Sequence, residues 1–304
     1  MIDGIGINVP QDVAGAGYVE HLAGFAEAAV AYGYDSLWVS ESLKPDVVDP
    51  LAALNFLAAR TSDVRLGVAV LIAGLRSPLR LAREVASLDQ LSAGRAIVGV
   101  GVGNDRAEYA RHGIEPGHRG RHFEGGIRLL QELLTQDVVS EQNRWRLEDE
   151  PRPLRPFQQP APPIWFGARA GEALRRAVRM GDGWVGAGSM SQVDFMRALA
   201  EVREALDGYD RDPGAFSIAK RVYLHVTQPP VPAEAVNRWF SHHYGNSRRM
   251  EEVFVMGSVD HCVQHLGELR AAGVKTLILH PVVEVRDQME MLATEVIPQL
   301  AGLT

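Results

Sequence analysis

Apolar and polar positions along the chain follow two periodicities in turn, which predicts strands and helices in regular succession. Residues 64–71 form a continuous β-branched and apolar run, typical of a strand buried on both faces. The next segment opens with Ser77-Pro78, an N-cap followed by proline, and keeps helical spacing until Gly94. A second apolar run, 95–102, follows. A connection of this length between two buried strands indicates a right-handed parallel crossover.

The same strand–helix unit recurs along the sequence. It predicts eight strands, at residues 4–9, 36–40, 64–71, 95–102, 164–167, 183–187, 217–226 and 276–280. Irregular excursions follow strands 4 and 7, at 140–163 and 228–256. No change of composition marks a linker, so we expect one domain over 1–304 with an α/β fold, a (β/α)8 TIM barrel. A doubly wound open sheet is the alternative, but its usual GxGxxG follows the first strand, whereas GxGxG follows the fourth strand here.

Composition restricts the classes of function. The 304 residues are 46% hydrophobic, and the formal net charge is -7 with the charges interspersed. No basic surface for nucleic acid is therefore expected. The sequence has no apolar run of membrane-spanning length and no basic leader, and its single cysteine, Cys262, cannot form an internal disulfide. We therefore expect a cytoplasmic protein that has no nucleic-acid or membrane partner.

The common catalytic and metal-binding motifs do not account for a function. The sequence lacks the GxSxG elbow of esterases and the Walker loop of nucleotide-binding proteins. His118 and His122 are four residues apart and Glu124 follows, which is the spacing of a metal pair. Arg119 and Arg121 lie among them and disfavour a cation, so no metal site is expected.

Two glycine-containing strand ends remain as binding candidates, because a barrel carries its active site at the C-terminal ends of its strands. Gly101-Val102-Gly103 either fits tight packing or lets a flat ligand approach the backbone. Gly167-Ala168-Arg169-Ala170-Gly171 leads into a helix whose N-terminus favours an anion, and Arg169 adds a charged donor; a plain turn is the alternative. Together these ends predict an elongated anionic ligand, flat across strands 3 and 4, with a phosphate at the fifth loop.

Five sequence blocks occur in order over nearly the whole chain: LGVAVL (66–71), LDQLSAGRAIVGVGVGN (88–104), PPIWFGA (162–168), RRAVRMGDGW (175–184) and MGSVDHCVQHLGELRAAGV (256–274). With these blocks the sequence resembles the bacterial luciferase-like family of flavin- and deazaflavin-dependent enzymes, and in pattern its F420-dependent branch. The resemblance implies a TIM barrel, usually a homodimer, with coenzyme F420 or FMN at the strand ends. It also implies a non-prolyl cis peptide and a bulge around Ala69-Val70.

The resemblance implies a set of cofactor-binding residues at these strand ends: Ser40, Ala69, Val70, Gly101, Val102, Gly103, Gly167, Ala168, Arg169 and Ala170. Bacterial luciferases place an arginine near Val102 to hold the FMN phosphate. The absence of that arginine favours coenzyme F420, and FMN is the alternative. An FMN-dependent enzyme would also need a flavin reductase partner.

Two positions depart from the family pattern. The family often has Asp-His where this chain has Ser40-Glu41, and F420-dependent sugar-phosphate dehydrogenases have a glutamate acid near Asn104. An amide forms hydrogen bonds but cannot donate that proton. We therefore assign Glu41 as the candidate proton donor or substrate contact, with an exposed or ion-paired loop carboxylate as the alternative. Asn104 is the second candidate catalytic residue.

The predicted function is F420-dependent hydride transfer to or from a small organic substrate. An FMNH2-dependent monooxygenase is one alternative, because the family contains both kinds of enzyme. The other is a barrel that binds F420 or flavin without turnover, since both family positions that differ here are catalytic.

Overall fold

The computed structural model describes residues 4–12, 15–139, 145, 152–227, 233–244 and 250–302. Within these residues the strands are β1 (Gly4–Asn8), β2 (Ser36–Val39), β3 (Arg65–Ile72), β4 (Ala96–Gly101), β5 (Ile164–Gly167), β6 (Gly183–Gly186), β7 (Ser217–Val226), β8 (Phe254–Gly257) and β9 (Thr276–Pro281).

The α-helices of the described residues alternate with these strands. They are α1 (Tyr18–Ala31), α2 (Pro50–Arg60), α3 (Pro78–Leu91), α4 (Arg106–Arg111), α5 (Arg119–Thr135), α6 (Glu172–Met180), α7 (Gln192–Gly208), α8 (Ala233–Tyr244), α9 (Met250–Val253), α10 (Val259–Ala271), α11 (Val285–Met291) and α12 (Ile297–Ala301). Short 3-10 turns lie at Ala73–Leu75 and Pro116–His118, and a π-helical segment lies at Leu292–Val296. None of the described helices is both long and apolar enough to cross a membrane.

The strand order confirms the predicted α/β fold class. Hydrogen-bonded neighbours follow the order β6-β5-β4-β3-β2-β1-β9-β7-β8, and β6 also pairs with β7. Parallel strands joined in this order through helices have the topology of a (β/α)8 barrel. Strand β8 is additional: it pairs with residues 223–226 at the end of β7. The prediction of eight strands missed β8, because four residues within an irregular segment show no recognisable period.

The chain comprises two compact units. Unit 1 consists of Met1–Pro10, Gly15–Trp38 and Ala168–Thr304, and unit 2 consists of Gln11–Ala14 and Val39–Gly167. The predicted excursion after strand 4 falls in unit 2, where 140–144 and 146–151 lie outside the described residues. The excursion after strand 7 falls in unit 1 and contains α8, α9 and β8; its residues 228–232 and 245–249 lie outside the described residues.

In unit 2 the β3–α3–β4 unit forms as predicted, with two local differences. Pro78 occupies the start of α3, but the Ser77 side chain makes no capping hydrogen bond. After the helix, Gly94 has the expected positive φ of 81°, and Ala93 before it also has a positive φ, of 53°. The β3–β4 register shifts between Val68 and Leu71, which is the bulge that the family resemblance implied.

The LDQLSAGR block of unit 2 holds backbone segments together. The Arg95 guanidinium donates five hydrogen bonds, to the carbonyls of Ala58, Thr61, Val64 and Ser92 and to the Thr61 hydroxyl. The fully buried Asp89 carboxylate accepts from the backbone and side-chain N–H groups of Gln158, at 2.7 Å each. Because buried carbonyls need donors, this block stabilises the fold around β4 and does not reach the strand ends.

In unit 1 the predicted C-terminal helix over 286–301 is interrupted. It divides into α11, the π-helical segment Leu292–Val296 and α12. Pro298 lies in the first turn of α12. A proline in a helix interior lacks an N–H and clashes with the preceding turn, so the helix accommodates it by a local change of hydrogen bonding.

Candidate functional site

The peptide bond between Ala69 and Val70, near the end of β3, is cis, as the resemblance implied. The Val70 side chain packs against the glycine-containing ends of β4 and β5. A Cβ atom at Gly101 would lie 2.7 Å from Val70 Cγ2, and one at Gly167 would lie 3.1 Å from Val70 Cγ1. At Gly99 a Cβ would lie 2.1 Å from the Val68 carbonyl oxygen. The contacts at Gly99 and Gly101 are too short for a side chain unless the surroundings move, whereas the contact at Gly167 is only tight, so packing within unit 2 favours glycine most at 99 and 101.

Residues 40–41 brace the backbone of β3 around this cis peptide. The Ser40 hydroxyl donates to the Ala69 carbonyl at 3.1 Å. The Glu41 N–H donates to the Val70 carbonyl at 3.4 Å, and the Glu41 carboxylate accepts from the Ile72 N–H. Three consecutive peptide groups of the strand end are thus tied to the end of β2, which keeps the Ala69-Val70 backbone in one position.

The Glu41 carboxylate also forms an ion pair with Arg76. Its Oε1 atom lies 2.5 Å from Arg76 Nη2, and the two side chains are only 8% and 19% exposed. Arg76 Nη2 also contacts Asp49 Oδ2 at 2.7 Å. Burial alone would lower the pKa of Arg76, but its hydrogen bonds and attraction to Asp49 and Glu41 outweigh burial and raise it. The structure therefore matches the ion-paired alternative for Glu41.

The end of β4 is fixed by a tyrosine whose role the sequence did not reveal. The Tyr109 hydroxyl donates to the Val102 carbonyl at 2.5 Å, and burial raises the pKa of Tyr109 to about 12. Gly103 has a φ of 73°, a left-handed conformation that favours glycine. Asn104 follows and is exposed. The predicted hydrogen-bonding role of Asn104 stays a prediction, and no local pattern in the sequence indicates the contact of Tyr109 with Val102.

In unit 1 the loop after β5 presents Arg169. The Arg169 side chain is exposed and donates a hydrogen bond to the Ser189 hydroxyl, which follows β6. The Ala168 carbonyl accepts from Trp184 Nε1 at 3.0 Å, and the Trp184 ring stacks on Phe195. Trp184 is therefore a packing residue. Arg169 remains available as a charged donor beside a hydroxyl.

The start of α6 differs from the predicted anion site in one respect. The Gly171 N–H is not free: it donates to the Glu201 carboxylate at 2.8 Å. A fixed carboxylate at this amide repels an anion there, so the expectation of free N–H groups is wrong at Gly171. The charged donor of this loop is the Arg169 guanidinium, and the predicted contacts of Gly167, Ala168 and Ala170 with a cofactor stay predictions.

Two histidines lie near the ends of strands β7 and β9 in unit 1. Burial lowers the pKa of His225 although Glu284 Oε2 lies 3.8 Å from its Nε2 atom. Burial, with the neighbouring Arg221 and His243, lowers the pKa of His280. Both imidazoles are therefore neutral near pH 7, and the Nδ1 atom of each is buried and has no hydrogen-bond partner in the described part of the chain.

Each unit by itself carries a feature that suits one part of a flat, anionic cofactor. In unit 2 the ends of β3, β4 and β5 present half-buried Val70 and glycine backbone, which leaves no large side chain to obstruct a planar ring system. In unit 1, Arg169 and Ser189 offer donors for a phosphate. Among the described residues no group of three or more His, Cys, Asp or Glu side chains could hold a metal ion.

Comparison with known proteins gives the family. The model of the luciferase-like monooxygenase family matches residues 5–276. The chain belongs to the luciferase-like monooxygenase family. This match confirms the resemblance to the luciferase-like family.

Individual relatives of this luciferase-like protein include an F420-dependent glucose-6-phosphate dehydrogenase of Kineococcus radiotolerans. It is 31% identical over 231 residues, which cover 72% of this chain and 68% of the relative. A phthiodiolone/phenolphthiodiolone dimycocerosates ketoreductase of Mycobacterium tuberculosis is 29% identical over 63% of this chain, but over only 57% of its own length. Another match, protein y4wF of Sinorhizobium fredii, is covered over 47% of its length. The chain thus spans about half to two thirds of these relatives.

Among solved structures, an F420-dependent secondary alcohol dehydrogenase in complex with an F420-acetone adduct superimposes with a TM-score of 0.86, over 99% of both chains, at 17% identity. The monooxygenase RslO1 from Streptomyces bottropensis has a TM-score of 0.81 and 24% identity, over 97% of this chain and 99% of its own. At these identities the likeness establishes the shared fold of the luciferase-like protein.

Proposed function

We propose that this luciferase-like protein is an F420-dependent oxidoreductase that transfers a hydride between the deazaflavin and a small organic substrate. The observation that carries the proposal is the end of β4, where Gly101, Val102, Gly103 and Asn104 include no basic side chain for an FMN phosphate. The identity to an F420-dependent glucose-6-phosphate dehydrogenase supports the same cofactor. A small-molecule substrate and a homodimer are part of this proposal.

When bound, coenzyme F420 supplies the hydride chemistry, and the protein supplies binding and orientation. The backbone of Ala69 and Val70, braced by Ser40 and Glu41, would support the ring, and Gly101 to Gly103 would lie along it. The Arg169 guanidinium would hold the anionic part of the cofactor. Asn104 would form a hydrogen bond to the ring or to the substrate.

Glu41 acts in this proposal by holding the Val70–Ile72 backbone and not by donating a proton. Its carboxylate accepts from Arg76 on one oxygen and from the Ile72 N–H on the other, so both oxygens are engaged with the protein. The proton of the reaction is therefore supplied by another group or by water. This assignment separates the present chain from dehydrogenases that carry a glutamate acid near Asn104.

The test is a titration of the purified protein with coenzyme F420 and, separately, with FMN, followed by the absorbance and fluorescence of each cofactor. We expect saturable binding of F420 and much weaker binding of FMN. Binding of FMN alone would replace the proposal with an FMN-dependent monooxygenase. Binding of F420 without oxidation of its reduced form over a panel of carbonyl and alkene substrates would support a binding protein without turnover.

A matched pair of variants tests the predicted anion contact. Replacing Arg169 with methionine removes a charged hydrogen bond, and we expect F420 affinity to fall about tenfold or more. Arg175→Met is the control, because Arg175 pairs with Glu172 on the exposed surface of α6. Equal affinities of the two variants would remove Arg169 from the cofactor site.

A further inference from the structure

Lys220 is a buried cation that the proposed reaction does not use. It lies in β7, is only 3% exposed, and its Nζ atom donates to the carbonyl oxygens of Ala187 at 2.6 Å and Met190 at 3.1 Å. Its stem packs beside Gly186, where a Cβ atom would lie 3.2 Å from Lys220 Cδ. Burying a lysine costs free energy of folding. The burial of Lys220 therefore indicates that its charge or its hydrogen-bond donors are needed here.

The two carbonyls that Lys220 binds are the first and last of the turn over residues 187–190. The Met190 N–H donates to the Ala187 carbonyl at 3.0 Å and closes this turn. Within this turn Gly188 lies close to the Tyr223 ring. A Cβ atom at this glycine would be only 2.6 Å from the ring. Lys220 therefore fixes the turn from the side of β7, at both ends of the segment that carries Ser189.

Ser189 connects this turn to the loop after β5. Its hydroxyl accepts a hydrogen bond from the guanidinium of Arg169. The Arg169 side chain is exposed, so its direction depends on such a contact. Lys220 and Arg169 also repel each other electrostatically. An anion bound at Arg169 would relieve this repulsion.

We propose that Lys220 is a positioning residue for the anion-binding end of the cofactor site: it holds the turn over 187–190 and, through Ser189, directs the Arg169 guanidinium toward the anion. This inference rests on the proposed function, because it takes the anionic part of the cofactor as the ligand of Arg169. Lys220 lies within β7 and not at its C-terminal end, so its proposed role is exerted through the turn over 187–190.

The surroundings of Lys220 make this positioning sensitive to pH. Burial, together with Arg221 and Arg169, lowers the pKa of Lys220 to about 7. A cavity of about 270 Å³ borders Lys220; Glu251, Glu252, His261 and His265 also line it. Burial lowers the pKa of His265 to about 4, so this imidazole stays neutral near pH 7. Above pH 7 Lys220 loses its proton, and its bonds to the two carbonyls lose their charge assistance.

The experiment measures F420 affinity by fluorescence between about pH 6 and 8 for the wild-type protein, Lys220→Met and Lys275→Met. Lys275 is a matched control, since its Nζ atom also binds the backbone carbonyls of a turn, those of Gly214 and Phe216, far along the sequence from Arg169. We expect wild-type affinity to weaken as pH rises through 7. Lys220→Met should bind about tenfold more weakly at pH 6 and show a flatter pH profile, whereas Lys275→Met should keep the wild-type profile.

A double variant with Arg169→Met and a hydrogen-exchange measurement complete the test. In an Arg169→Met protein the further change Lys220→Met should alter affinity less than twofold, because the two residues act on one contact. Hydrogen exchange should show faster exchange of the amides at 187–190 in Lys220→Met without any cofactor present. Additive effects of the two substitutions, or an unchanged pH profile in Lys220→Met, would overturn the positioning role and leave the proposed function intact. A wild-type protein that binds no F420 would overturn both.

Discussion

Glu41 and Arg76 form a nearly buried ion pair, with 2.5 Å between Glu41 Oε1 and Arg76 Nη2. The second carboxylate oxygen of Glu41 accepts from the Ile72 N–H, so the same side chain also holds the strand that carries the Ala69-Val70 peptide. A carboxylate that is engaged on both oxygens is suited to holding the backbone.

Replacing Glu41 with glutamine should therefore lower the stability of the protein. We expect a loss of about 2–3 kcal/mol in the free energy of unfolding, because Arg76 loses a buried charged partner while the side-chain shape is kept. Urea denaturation measures this loss. Glu84→Gln is the control, since Glu84 lies 3.7 Å from Arg76 and forms a weaker pair.

The same variant separates the two roles of Glu41. If the residue positions the backbone, F420 affinity should fall together with stability, and the remaining turnover should keep its pH profile. Undiminished stability and cofactor affinity combined with loss of turnover would instead restore Glu41 as the proton donor.

The packing of Val70 against Gly101 leads to a second prediction. Gly101→Ala should destabilise the protein by about 1–3 kcal/mol, because the new methyl group would lie 2.7 Å from Val70 Cγ2. Val70→Ala removes the obstructing atoms, so the double variant Gly101→Ala/Val70→Ala should recover part of that loss. Chemical denaturation of the two single variants and the double variant measures the coupling.

Gly99→Ala serves as the contrasting variant in this series. Its methyl group would lie 2.1 Å from the Val68 carbonyl oxygen, a backbone atom that Val70→Ala does not remove. Val70 Cγ1 would also lie 3.0 Å from this methyl group, but the shorter backbone contact persists, so we expect much less rescue at Gly99 than at Gly101. Equal rescue at both positions would show that the contact with Val70 does not determine why glycine is needed at 101.

Lys220 should make the stability of the folded chain depend on pH. Its folded pKa of about 7 lies below its ordinary value of 10.5. Between these values the unfolded chain binds more protons than the folded chain, so the free energy of unfolding rises with pH. For one proton the slope approaches about 1.4 kcal/mol per pH unit.

Denaturation at several values between about pH 7 and 8.5 tests this slope, below the range in which buried Cys262, whose pKa burial raises to about 11, contributes. Lys220→Met should lose the Lys220 contribution to the slope. Lys275→Met should retain it. A slope in Lys220→Met equal to that of the wild-type protein would contradict the assignment of this titration to Lys220.

Much of the fold could be predicted because many of its strands are continuous apolar runs, and several of them, such as β4, β5 and β6, end at glycine. Strand β3 lies within one residue of its predicted bounds, and helix α3 begins at the predicted Pro78 but ends at Leu91, before Gly94. Strand β8 could not be predicted, because its pairing with β7 is a long-range interaction of four residues. The break before α12 could have been predicted only by giving Pro298 more weight than the regular helical period around it.

The candidate site was predictable at the level of the backbone and less so for side chains. The cis peptide at Ala69-Val70 followed from the resemblance, and the ion-paired state of Glu41 was one of two stated alternatives. Its partner Arg76 lies 35 residues further along and gives no local signal. Tyr109, Ser189 and Lys220 act through contacts that only the folded chain creates, and no periodicity encodes them.

Arg95 uses each of its five N–H groups on a separate hydrogen bond, joining the end of α2, the turn after it and the end of α3. A lysine there would supply at most three donors and would leave acceptors without partners, so even this like-charged replacement is not conservative. The LDQLSAGR segment, part of a sequence block by which the family is recognised, thus stabilises the scaffold. Proteins sharing it inherit the same scaffold whichever substrate they have come to use.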